Sequence, residues 1–151
     1  MKVITIIQPW ATLIALGEKR FETRSWATKH RGDLLIHAGK KVDKKVCQQE
    51  PYRSVLGKHG YTADNLPTGS IIAKVNLHNC YAISRRHGVD GPVSLETSVK
   101  TLEWADPMEQ EYYFGDYRDG RYAWELLDVQ RMLEPISAKG MQGLWNWEIW
   151  T

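Results

Sequence analysis

The sequence predicts an α+β domain in which strands build the core and helices stay short, and three stretches carry that prediction. Met1 to Ile7 is a β-branched run of the kind buried strands favour. Ser70 to Tyr81 alternates: Ile71, Ala73, Val75 and Leu77 point one way, and Ile72, Lys74, Asn76 and His78 the other. Between Pro9 and Leu16 the chain can make about two helical turns, opened by a residue tolerated at a helix start and closed by Gly17.

In that helix Leu13, Leu16 and either Trp10 or Ile14 fall at three- and four-residue spacing, an apolar stripe for the core. After Gly17 the composition changes abruptly. Glu18, Lys19, Arg20, Glu22 and Arg24 arrive within seven residues. In an extended segment Glu18, Arg20, Glu22 and Arg24 share one face, with Lys19, Phe21, Thr23 and Ser25 on the other. A turn or bulge near Gly17 would instead bring Lys19 round to Glu22 and Arg24. The plainer reading is a solvated edge strand with its charges paired.

Trp26 to Gly32 is a polar connection that turns at Arg31-Gly32 into a strand from Asp33 to His37, which puts His37 at a strand end, where a histidine is more often structural than a ligand. Lys44 to Leu56 is helix-compatible with a break at Pro51. After the Ser70–Tyr81 strand, residues 83–110 contain Gly88, Gly91, Pro92 and Pro107 and read as an excursion with a short helix. Glu111 to Leu133 reads as a hairpin turning at Asp119-Gly120, its second arm packing Tyr122, Trp124 and Leu126 inward. The alternation from Trp145 to Ile149 suits a last strand, and most of the seven tryptophans belong to a core of this size. Trp10 and Trp26 flank the charged stretch and offer stacking surfaces, or else plug the ends of the fold.

The 151 residues make one domain, able to bury a core without staples. Cys47 and Cys80 are too few and too far apart for a zinc pair, so no metal and no cofactor is expected. A cytoplasmic monomer with reduced thiols is the expectation, since neither a signal-type N-terminus nor a long apolar run is present. Net charge is +2, too small to advertise a nucleic-acid partner by itself. Its distribution is uneven: residues 19–58 carry eleven Lys and Arg against four Asp and Glu, whereas residues 96–128 carry three against nine. That asymmetry fits a polar-ligand face, and Lys40, Lys41, Lys44 and Lys45 fit a solvated helix start equally well.

Gly17-x-Lys19-x-x-Glu22-x-Arg24 resembles the signature of the ASCH domain, a family with a PUA-like fold associated with RNA metabolism and transcription coactivation. The likeness extends to Gln8-Pro9-Trp10-Ala11, Arg24-Ser25-Trp26, His30-Arg31-Gly32, Leu34 to Ala38, Gly120 to Leu126 and Lys139 to Trp145. The resemblance implies a PUA-like mixed β-barrel with short flanking helices and a cleft, beside the first helix, that receives part of a nucleic acid. Its candidate lining is Trp10, Lys19, Glu22, Arg24, Ser25, Trp26, Arg31, His37, Lys139 and Gln142. Lys19 and Arg24 suit phosphate or a base edge, and Glu22 an exocyclic amine. The implied partner is RNA or another single strand, or at its smallest a nucleotide or modified nucleoside; no membrane partner is implied.

The rival is a hydrolase acting on RNA or a modified nucleoside, with Lys19 and Glu22 as the candidate catalytic pair. The resemblance implies it because some small ASCH relatives hydrolyse the amide of acetylated cytidine, with what looks like a Lys, a Thr three residues later and a Glu on a downstream strand, and others have been proposed to be ribonucleases. Here Glu22 stands in place of that Thr and Lys74 is the expected occupant of the Glu position, so efficient acetylcytidine cleavage is not expected.

Overall fold

The structure is a computed structural model, and it describes residues 1–104 and 109–148, apart from the side chains of Trp104 and Glu109. Pro107, Ile149 and Trp150 lie outside the described residues. In chain order the elements are β1 (Lys2–Gln8), α1 (Trp10–Ala15), β2 (Phe21–Arg24), β3 (Gly32–Val42), α2 (Lys44–Cys47), α3 (Tyr52–Lys58), β4 (Ser70–Ser84), β5 (Val93–Glu96), β6 (Thr101–Trp104), α4 (Glu109–Tyr113), β7 (Tyr122–Ser137) and β8 (Leu144–Asn146).

The strands form one mixed sheet in the order β2-β7-β4-β3-β1-β8, with β5 and β6 as an arm on the far end of β4. Among the described residues only β1 and β3 run parallel; the other pairs are antiparallel. This is an α+β fold built on a mixed sheet, but the expected barrel is not closed among the described residues. Among the described residues β2 and β8 end the path without pairing to each other.

Both faces of the central strands are covered, because successive residues alternate between two cores. Ile4, Ile6, Leu34, Ile36, Ala73 and Val75 pack with α1 and Trp124. Val3, Leu35 and Ile71 pack on Trp145 from β8. Helix α1 is threaded between the sheet and the α2–α3 pair: Ile14 joins the first core and Leu13 the cluster of Tyr52, Val55 and Leu56. Every residue from Ala11 to Ala15 is therefore buried, a wider face than the expected stripe, whereas Leu16 is half-buried. Gln8 lies beneath the start of α1 and accepts from the Thr12 N–H at 2.9 Å while donating to the Thr12 hydroxyl at 2.7 Å.

Three sequence expectations are corrected. His37 is not at a strand end, because β3 runs on to Val42 and pairs with β1 beyond it. Glu111 to Tyr113 is helical, so β7 has no hairpin partner there; it pairs with β4 along its length and with β2 at its start. The excursion over residues 83–104 carries two short strands, β5 and β6, which extend the far end of β4 over a core of Phe21, Tyr81, Ile83 and Leu95. The break at Pro51 falls between α2 and α3 as expected. Trp124 and Trp145 are buried, while Trp10, Trp26 and Trp147 are half-buried against the cores.

Candidate functional site

The charged stretch is shaped by the way α1 ends. Gly17 takes φ +74°, a left-handed cap, and the N–H groups of Glu18 and Lys19 both donate to the Leu13 carbonyl at 3.0 Å. The chain is thereby held against the helix end until β2 starts at Phe21, so strict alternation does not apply to Lys19. Its ammonium, 1% exposed, donates to the Phe21 carbonyl and to Glu22 Oε1, the latter at 3.4 Å. Glu22 Oε2 accepts from Arg24 Nε at 2.9 Å, and Arg24 Nη2 donates to the Thr5 carbonyl at 2.9 Å. Lys19, Glu22 and Arg24 are one linked row.

The Arg24–Thr5 bond crosses the gap in the sheet. β8 pairs with β1 over Lys2, Val3 and Ile4, so from Thr5 onward the edge of β1 faces β2 with no strand between them among the described residues. A cleft of about 930 Å³ opens there. Thr5, Ile6 and Ile7 form one side and Glu22, Thr23 and Arg24 the other. Trp10 and Trp26 stand in the lining with Tyr52, Phe114 and the Met141–Gly143 tail, and Asp116 and Arg121 complete it. Trp10 donates to the Tyr52 hydroxyl at 3.2 Å, which donates on to the Tyr113 carbonyl at 2.6 Å. Trp26 meets Trp124 edge-on, with ring centroids 4.9 Å apart. Both indoles are thus fixed on rigid supports and remain half-buried.

Charge in the cleft is balanced, Glu22 and Asp116 against Arg24 and Arg121. A hydrogen bond from Arg118 holds the Asp116 carboxyl below its usual range, and burial raises the Tyr52 phenol. Behind β2, α4 supplies Glu111, whose carboxylate accepts from the Arg20 N–H at 2.7 Å and the Phe21 N–H at 3.4 Å. Burial raises the Glu111 carboxyl above its usual value, opposed by the nearby Lys19 charge and by those two N–H groups. Tyr117 is raised well above its usual value, first by burial and then by Glu111 and Glu22.

The family model of the ASCH domain matches residues 4–137. The chain belongs to the ASCH domain family. Among curated proteins, human activating signal cointegrator 1 is 39% identical over 83 residues and the mouse protein 39% identical over 80. Each match takes in 51% of this chain and only 14% of the cointegrator, so the likeness concerns a small part of those longer proteins. Of solved structures, ASCH from Zymomonas mobilis is 20% identical, with a TM-score of 0.48 over 90% of this chain and 72% of that one.

In this ASCH domain Trp10, Glu22, Arg24, Trp26 and Gln142 meet at the cleft. The other candidates are elsewhere. Lys19 is sealed beneath Glu22, which removes it from contact with a phosphate. Ser25 is exposed outside the lining, as is Lys139. Arg31 is turned onto the Thr28 and His30 carbonyls at 2.9 and 2.8 Å. His37 is 1% exposed, hydrogen-bonded to the Ala138 carbonyl at 2.7 Å and edge-on to Trp145. Gly140 lies against that ring: a Cβ there would be 2.8 Å from His37 Cε1 and 2.9 Å from Thr5 Oγ1, so glycine lets the tail settle and bring Gln142 to the cleft. Lys74 is also outside the lining, 3.6 Å from Asp33.

Sequence reasoning missed Thr5 to Ile7, Phe114, Asp116, Arg121 and the buried Glu111. These come from two stretches far apart in the chain, 5–7 and 111–121, and no local spacing connects them. Among the described residues no group of three His, Cys, Asp or Glu could hold a metal ion, and no helix is long and apolar enough to cross a membrane.

Proposed function

We propose that this ASCH domain binds single-stranded nucleic acid, RNA in the first instance, by taking an unstacked base into the cleft between β1 and β2. The observation that carries this reading is the cleft itself: Glu22 and Arg24 of the charged stretch line it together with two indoles anchored on rigid supports. Aromatic faces and a few fixed polar groups suit a flat, polar ring. The balanced charge of the lining favours a base over a phosphate as the buried part. Burial of Lys19 weighs against the hydrolase reading, since a group that does not reach the cleft surface cannot attack or protonate a guest there.

Fluorescence anisotropy with labelled oligonucleotides tests this. Binding is expected to weaken as salt rises with a shallow slope of about a few phosphate contacts. Trp26→Ala is expected to weaken it by about five- to a hundredfold, the range for losing one stacked base. No binding at low salt, or full affinity in a folded Trp26→Ala variant, rejects the proposal.

A further inference from the structure

We infer that the base this cleft selects is guanine, held by its N1–H and N2 amino donors on the Glu22 carboxylate. The inference rests on the nucleobase reading above and adds which base is taken.

A carboxylate offers about four acceptor positions and no donor. At Glu22 Lys19 donates to Oε1, and the Arg24 guanidinium meets Oε2 from one side, with Nε donating and Nη2 also 2.9 Å away. Counted by flank, each oxygen keeps one acceptor position, and Glu22 lines the cleft. The matching guest edge is a pair of adjacent N–H donors. Guanine has that edge, N1–H beside the N2 amino group. Adenine and cytosine each set an amino donor beside a ring acceptor, and uracil flanks its single N3–H with two carbonyls, so each of these turns a lone pair toward a carboxylate oxygen.

Guanine also carries O6 next to N1–H, which calls for a donor beside the carboxylate. Arg24 is placed for it, having committed Nε to Glu22 and Nη2 to the Thr5 carbonyl, which leaves Nη1. Those two bonds fix the guanidinium, so no freedom is lost when O6 arrives. Paired donors are also found on an arginine side chain of a peptide. A cationic guest is disfavoured, because Lys19 and Arg24 already flank Glu22 and Arg121 stands in the same lining.

The test is titration of the whole protein with GMP, IMP, AMP, CMP and UMP, followed by amide chemical shifts, with acetyl-arginine amide as a further probe. GMP is expected to bind about tenfold or more tighter than AMP, CMP or UMP, and IMP, which lacks the N2 amine, to lose about fivefold or more against GMP. The shifts should cluster at Thr5 to Ile7 and Glu22 to Trp26. Glu22→Gln, whose amide presents one acceptor and one donor, should erase the preference; because that change also disturbs Lys19, the GMP-to-IMP ratio on the unaltered protein decides if the variant does not fold. Equal binding of all five nucleotides overturns the guanine inference and leaves the base-binding cleft standing. Tighter binding of acetyl-arginine amide, or shifts remote from the cleft, also overturns it, and no binding of any nucleotide together with no binding of oligonucleotides overturns both.

Discussion

Two glutamates in the acidic part of the chain, Glu111 and Glu103, have similar company and opposite behaviour. Glu111 bonds the Arg20 and Phe21 N–H groups, with Lys19 nearby; Glu103 accepts from His87 at 3.0 Å and has Arg86 at 3.7 Å. Glu111 is 4% exposed, whereas the Glu103 side chain is 46% exposed. Burial therefore leads at Glu111 and raises its carboxyl, while the His87 hydrogen bond leads at Glu103 and lowers it. A charge pattern in a sequence announces that partners exist. Desolvation decides what those partners are worth and which way the pH dependence runs.

The largest effect should come from breaking the buried side of this contrast at its one ammonium. Lys19→Met removes the ammonium that pairs with Glu22 at 3.4 Å and acts on Glu111, and a broken buried ion pair costs about 3–5 kcal/mol. For a domain of this size the melting temperature should fall by about ten degrees. Arg86→Ala, on the exposed side, should melt within error of the unaltered protein. Equal melting of the two variants would show that burial does not separate the clusters.

The sequence made the sheet's interior legible and its ends less so. Alternation over Ser70–Tyr81, the β-branched start and the Pro9 and Gly17 punctuation locate β4, β1 and α1, because each signal is complete within one element. Gly17, Lys19, Glu22 and Arg24 were visible as a unit for the same reason. The helix at Glu111 was not. Its carboxylate caps N–H groups of a strand about ninety residues earlier, and that demand leaves no trace in the local period. Closure of the barrel was likewise unreadable, since it depends on where β8 stops pairing with β1. That stopping place creates the cleft, so the wall formed by Thr5 to Ile7 was hidden with it.

Glu111→Gln sharpens the comparison through pH. With its carboxyl raised, the native state holds the Glu111 proton more tightly than the unfolded chain does, so its favourable contribution is complete at low pH. It is lost as pH rises from about 4.3, the ordinary glutamate value, through the raised one. Glutamine keeps the oxygen facing Arg20 N–H but gives the Phe21 N–H an amide donor, a loss of about 1–3 kcal/mol. Urea unfolding of both proteins between about pH 4 and pH 7 should show the advantage of the unaltered protein shrinking toward neutrality. An advantage that grows with pH would contradict the raised carboxyl.

Glu103→Gln should give the smallest effect and the reverse slope. Its carboxyl is held below the usual range first by the His87 hydrogen bond, with Arg86 and His87 charges adding. The unfolded chain then binds the proton more readily, so the stability that Glu103 contributes is present above about pH 4.3 and lost as pH falls through the lowered value. Solvent reaches the whole cluster, and mobile ions at about 0.5 M should screen it to within a few ångströms. The same urea series, repeated with and without that salt, should find a slight loss in Glu103→Gln at neutral pH in low salt and none in high salt. A loss that survives high salt, or one as large as that of Glu111→Gln, would mean that the β5–β6 arm holds its charges as tightly as the buried row beneath the cleft.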